Sequence, residues 1–159
     1  MKLLPATEGH ARIIAGQMRA SDVEEIKAGW GQEPREAILT ALRDSPRYAR
    51  TLFYGLEPLM IFGLSHLSIL GSSAQVWCFG TTAIDRHPLV FARATRKILP
   101  ELYAHAPVLT NRVDASDVRA LRWLTFLGAT YVLDPERHGD REFGQFILAA
   151  QQEPQCQRV

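Results

Sequence analysis

Cysteine, glycine-rich loops, long apolar runs and charge of one sign are all scarce in this chain. Two cysteines in 159 residues are too few for a disulfide framework or a four-ligand zinc site. Cys78 stands in an apolar stretch and is expected in the core. Cys156 stands in a polar tail and is expected as a free thiol. This usage fits a reducing, intracellular setting. No apolar run approaches the roughly 18 residues of a membrane span. The start, Met1-Lys2-Leu3-Leu4-Pro5, is too short and too quickly polar for a signal peptide. Lys plus Arg number 18 against 17 Asp plus Glu, a net charge of +1, without the basic excess of a DNA-coating protein, so nucleic acid is not indicated. Gly-x-x-x-x-Gly-Lys-Ser/Thr, Gly-x-Ser-x-Gly and His-Glu-x-x-His are all missing. The histidines, at positions 10, 66, 87, 105 and 138, have no metal-ligand spacing.

What is present is ordinary globular composition, 47% hydrophobic and 22% charged, at a length that predicts one domain. That domain is expected over residues 1–150, with 151–159 a polar tail. A short strand is expected over 2–7, with Thr7 a helix N-cap. A helix follows over 10–27, with a break at Ser21-Asp22, two residues that favour caps and turns. Gly29-Trp30-Gly31 reads as a turn and 36–43 as a second helix. The period then shortens. Residues 48–54, 59–68 and 73–84 are rich in β-branched and aromatic types and read as strands, the first two joined by the hairpin signal Gly55-Leu56-Glu57-Pro58. Pro88 opens a helix through His105, in which Pro100 predicts a kink or an early stop. Residues 108–113 read as a strand and 117–127 as a helix closed by Gly128. Two last strands, 130–133 and 142–149, are joined by a polar loop over 135–141. The order β-α-α-β-β-β-α-β-α-β-β predicts an α/β chain, a mixed α+β sheet of about seven strands with helices on both faces.

That order resembles the GNAT fold of the GCN5-related N-acetyltransferases. The likeness is best over residues 114–132, where Asp117 starts an apolar helix, Ala120 lies in its first turn and Leu127-Gly128-Ala129 closes it before a strand. Within the superfamily, the chain is similar to GNAT-like internal virion or virion-assembly proteins of T7-like tailed bacteriophages. This second likeness rests on Ala20-Ser21-Asp22-Val23-Glu24-Glu25-Ile26, Pro34-Arg35-Glu36-Ala37, Val76-Trp77 and Leu121-Arg122-Trp123-Leu124. It implies residence in the virion or host cytoplasm and contact with other virion proteins.

The resemblance also says where acetyl-CoA chemistry would sit. GNAT enzymes cradle the pyrophosphate on a glycine-rich loop before a helix, and backbone N–H groups at a helix N-terminus suit that task. The matching residues, 81–89, contain no glycine. Bulky Ile84 and Leu89, and Pro88 without an N–H, make a poor close-approach loop. An anion there would meet the side chains of Arg86, His87 and Arg93, which are the candidate cofactor residues if acetyl-CoA binds at all. Many GNAT enzymes carry a proton-donating Tyr in the helix before Leu-Gly-Phe; here the position is Leu124. Tyr131 on the next strand is the remaining candidate acid, against the packing role usual for strand aromatics. Glu24, Glu25 and Glu33 flank the first helices near a cleft, though helix-surface carboxylates are more often solvated. Asp114 and Asp117 read as a strand end and a helix cap, and His66 as a core strand residue. Arg112, Arg119, Arg122 and Trp123 form a basic and aromatic group. Trp30, Arg119, Arg122 and Trp123 are the interface candidates, because Trp and Arg are enriched at binding hot spots.

Two functions follow as expectations. One is a virion-associated or assembly component with degenerate acetyl-CoA motifs and no cofactor. The other is an active acetyl-CoA-dependent N-acetyltransferase. They differ in whether the N–H groups of residues 82–89 converge on a cavity between splayed strands 76–81 and 108–113.

Overall fold

The computed structural model describes residues 1–66, 70 and 72–151. The expected end of the second hairpin strand, Cys156 and most of the polar tail lie outside the described residues. The elements run β1 (Lys2–Pro5), α1 (Glu8–Gly16), α2 (Ala20–Trp30), α3 (Pro34–Arg43), β2 (Ala49–Tyr54), β3 (Glu57–Ser65), β4 (Ser73–Gly80), α4 (Ala83–Arg86), α5 (Pro88–His105), β5 (Val108–Asp114), α6 (Val118–Leu127), β6 (Thr130–His138) and β7 (Arg141–Ala149). The strands form one seven-stranded sheet in the order β1-β2-β3-β4-β5-β7-β6. Every neighbouring pair is antiparallel except β4 with β5.

Alternation along the central strands builds a core on each face. Met60, Phe62 and Leu64 of β3 join Ala74 of β4 beneath α5 and α6, where Phe91, Ala94, Ile98 and Leu102 repeat at helical spacing. Ile61 and Trp77 point the other way, against Ala11, Ile14, Ile26 and Ile38 of α1–α3. Each such side chain, buried as fully as Ile14, Ile38 or Ile61, contributes about 1.5–3 kcal/mol.

Several expected boundaries move. The first helix breaks at residues 17–19, before Ser21-Asp22, which lie inside α2. Asp22 anchors that first turn by accepting from Arg19 Nε at 2.9 Å. Trp30 belongs to α2, and only Gly31 turns, in the left-handed conformation at φ 63°. The strand expected to reach residue 84 stops at Gly80, and Ala83–Arg86 is a short helix. Pro100 does not stop α5. It and Arg96, whose carbonyl loses its usual helical partner, are both exposed, and water can serve that carbonyl. Buried Ile98, Leu99 and Leu102 hold the helix on either side. The expected polar loop over 135–141 is mostly strand, because β6 and β7 pair on to His138 and Arg141 around a bulge. His66 is not in the core: it is exposed just past β3, with φ 48°.

Candidate functional site

The parallel pair sets the site. β4 and β5 are in register only over Ser73–Gln75 and Val108–Thr110. Beyond them the ladder is replaced by one side chain: Asn111 Nδ2 donates to the Val76 carbonyl at 2.7 Å, and Asn111 Oδ1 accepts from Gln75 Nε2 at 3.2 Å. The strands then part, each still held by its outer neighbour. A cavity of about 750 Å³ opens between them, with Trp77, Phe79, Val113 and Phe146 among its walls. The carboxyl ends of parallel strands are where open α/β sheets place ligands.

Acidic groups gather at one side of this cavity. Carboxylate oxygens of Asp22, Glu25 and Asp117 lie within 4.8 Å of one another. Asp117 caps α6, accepting from the Arg119 and Ala120 N–H groups, each at 3.0 Å. Asp22 is paired with Arg19, so two of the three carboxylates already serve protein donors. Burial, with Asp114, Asp22 and Asp117 nearby, pushes the Glu25 carboxyl up to about 7. Behind it, Asp114 is 1% exposed. Burial pushes its carboxyl up, but the hydrogen bonds from Ser116 and from Arg141 Nη1 (2.6 Å) outweigh that and hold it below the ordinary value.

The loop that would cradle a pyrophosphate is folded onto the protein. The Thr81 N–H donates to the Leu59 carbonyl and the Thr82 N–H to the Gln17 carbonyl, each at 3.0 Å. The Ala83 N–H donates to Thr81 Oγ1, and Ile84, Asp85 and His87 donate to carbonyls within the loop. Thr81 is fully buried, with its hydroxyl on the Pro58 carbonyl at 2.7 Å. Ile84 packs over Gly80, where a Cβ would stand 2.5 Å from Ile84 Cδ1. Asp85, Ile84 and Pro88 face the cavity. The N–H groups of residues 81–85 and 87 are thus committed within the protein, whereas a pyrophosphate cradle uses free donors.

The candidate residues divide. Arg86 and His87 turn to Glu57, at 2.9 and 3.3 Å, and Arg93 is exposed on α5. None of the three is among the described residues that line the cavity. Tyr131 is pinned to α6, its hydroxyl donating to the Leu121 carbonyl at 2.9 Å, and it too is outside the lining. Leu124 stands in the wall. The four interface candidates, Trp30, Arg119, Arg122 and Trp123, all border the cavity. Trp30 is 55% exposed and meets Phe143 edge-on. Trp123 is half-buried on Phe91, with its indole N–H on Thr95 Oγ1 at 3.0 Å. Glu25 and Asp85 carry the distinctive charge of the site. Sequence alone named Glu25 only beside Glu24 and Glu33 and did not single out Asp85, since their neighbours come from distant parts of the chain.

No family model matches the chain, and no curated protein matches it. Solved structures do. A ribosomal-protein-alanine N-acetyltransferase from Brucella melitensis superposes with a TM-score of 0.67 at 8% identity, over 94% of this chain and 100% of that one. An aminoglycoside acetyltransferase in complex with coenzyme A gives 0.66 at 13% identity, over 93% and 94%. A spermidine N-acetyltransferase from Vibrio cholerae, in complex with CoA and spermine, gives 0.65 at 11% identity, over 93% and 94%. At such identities the likeness is one of architecture: this chain has the fold of the GNAT acetyltransferases.

Proposed function

We propose that the chain uses the GNAT fold as a binding component, acting through protein contacts in a virion or its assembly rather than by transferring acetyl groups. The observation that carries this reading is the loop over residues 81–88. The N–H groups of residues 81–85 and 87 are spent on the protein, Pro88 has none, and Asp85 stands at the cavity. Leu124, in the place of a proton-donating Tyr, supports it further. Trp30, Arg119 and Arg122 are exposed and border the cavity, and these residue types dominate binding hot spots. The assignment to a virion rests on the likeness of residues 20–26, 34–37, 76–77 and 121–124 to phage GNAT-like proteins. The test has two arms. Thiol release from acetyl-CoA is followed across a panel of amines, polyamines and protein N-termini, where no turnover is expected. Purified particles of the phage encoding the chain are probed for it by mass spectrometry, where it is expected. Its absence from particles and from assembly intermediates would overturn the virion role.

A second reading, an active N-acetyltransferase, is favoured by a different observation. The strands splay over a cavity of about 750 Å³ that Glu25 faces, with a carboxyl near neutrality. Such a group can take a proton from an ammonium near neutral pH. The solved neighbours include acetyltransferases of spermidine and of aminoglycosides, so amines are the acceptors to screen. Turnover lost in Glu25→Gln with the fold retained would decide for this reading.

A further inference from the structure

The cavity mouth carries an ion-pair bridge that neither reading requires. Asp85, in α4, places Oδ1 3.1 Å from Arg119 Nη1 in the first turn of α6. The same oxygen lies 3.7 Å from Arg19 Nη1, just before α2. One carboxylate thus spans three segments that surround the carboxyl ends of β4 and β5. Burial pulls the Arg19 guanidinium down, but Asp22, Asp85 and Asp117 together hold it above its ordinary value. Arg122 stands on the same helix as Arg119 and also borders the cavity.

We infer that Asp85 is an internal anion, occupying a site between Arg19 and Arg119 that would otherwise take an oligophosphate. The inference rests on the proposed loss of acetyl-CoA binding and supplies a cause for it. Two guanidiniums converging on one oxygen form the arrangement that recognises phosphate. Here the anion is tethered by the chain itself, so a free ligand must displace it and also approach its negative charge. Asp85 and Arg119 are well exposed, with side-chain exposures of 44% and 61%. Exposed pairs of this kind are weak, so the bridge blocks by occupancy and charge rather than by strength. Removing the carboxylate frees Arg119 and the Nη1 of Arg19, whose Nε stays with Asp22, without rebuilding the loop.

The test is titration calorimetry of inorganic pyrophosphate and of CoA into wild type, Asp85→Ala and Asp85→Asn at low ionic strength, with thermal unfolding to confirm the fold. Removing the charge is expected to tighten pyrophosphate binding at least about tenfold. Adding Arg119→Ala to Asp85→Ala is expected to abolish that gain. Folded variants that bind no more tightly than wild type would overturn the inference, as would a gain that survives loss of Arg119. Micromolar CoA binding by wild type would instead overturn the proposed function. The ratio of variant to wild-type affinity for pyrophosphate decides the inference separately.

Discussion

The Thr82 N–H donates to the Gln17 carbonyl at 3.0 Å, tying the loop after β4 to the end of α1. One hydrogen bond thereby takes up a donor of the loop just before α4 begins. The neighbouring amides follow into internal bonds, and Ile84 is laid over Gly80.

Two glycines test this packing by their difference. At Gly63 a Cβ would lie 2.6 Å from Trp77 Cζ2 and 2.7 Å from the Tyr48 carbonyl oxygen, which is backbone and cannot turn aside. At Gly80 the close atom is the terminal methyl of Ile84, which can rotate. Gly63→Ala is therefore expected to cost about 1–3 kcal/mol, and Gly80→Ala clearly less. Urea unfolding of both variants measures the order. Equal costs would contradict it.

How far the sequence carried the fold can be seen at Asp117 and Gly128. Both were legible because each acts locally: a capping side chain accepts the first N–H groups, and a left-handed residue at φ 93° ends the same helix. The mixed sheet with helices on both faces followed from element order. The bridge from Asp85 to Arg19 and Arg119 was not legible. Nor was the meeting of Glu25 with Asp22, Asp114 and Asp117. These contacts join residues from separate elements, and no local pattern encodes them. Arg86 and His87 illustrate the converse. Their place before a helix suggested an anion site, but the short helix α4 turns them outward to Glu57.

Ser45 is expected to matter more than its size suggests. Its hydroxyl oxygen accepts from the buried Trp77 indole N–H at 2.6 Å, beneath the cavity wall. Ser45→Ala leaves that donor buried without this partner, at a cost of about 1–3 kcal/mol. Chemical denaturation followed by tryptophan fluorescence checks the value. A cost near zero would show that the indole finds another acceptor.

Glu25 gives a pH signature. Its folded value of about 7 lies above the ordinary 4.5. Between these values the native state holds more protons than the unfolded chain, so stability falls as pH rises through this window. The Glu25 contribution amounts to about 3 kcal/mol in all. Glu25→Gln carries no charge to desolvate. It is expected to match wild type near about pH 4 and to exceed it at about pH 8. Equal stabilities at the higher pH would show that Glu25 is neither desolvated nor repelled by its neighbours.

Titration calorimetry of the wild-type chain with acetyl-CoA tests the closed loop most directly. The committed amides and the Asp85 carboxylate at the cavity mouth predict no heat at ligand concentrations of about 1 mM, a binding free energy weaker than about −4 kcal/mol. Stoichiometric binding with a micromolar dissociation constant, about −8 kcal/mol, would contradict it and would mean that the loop opens to free its donors.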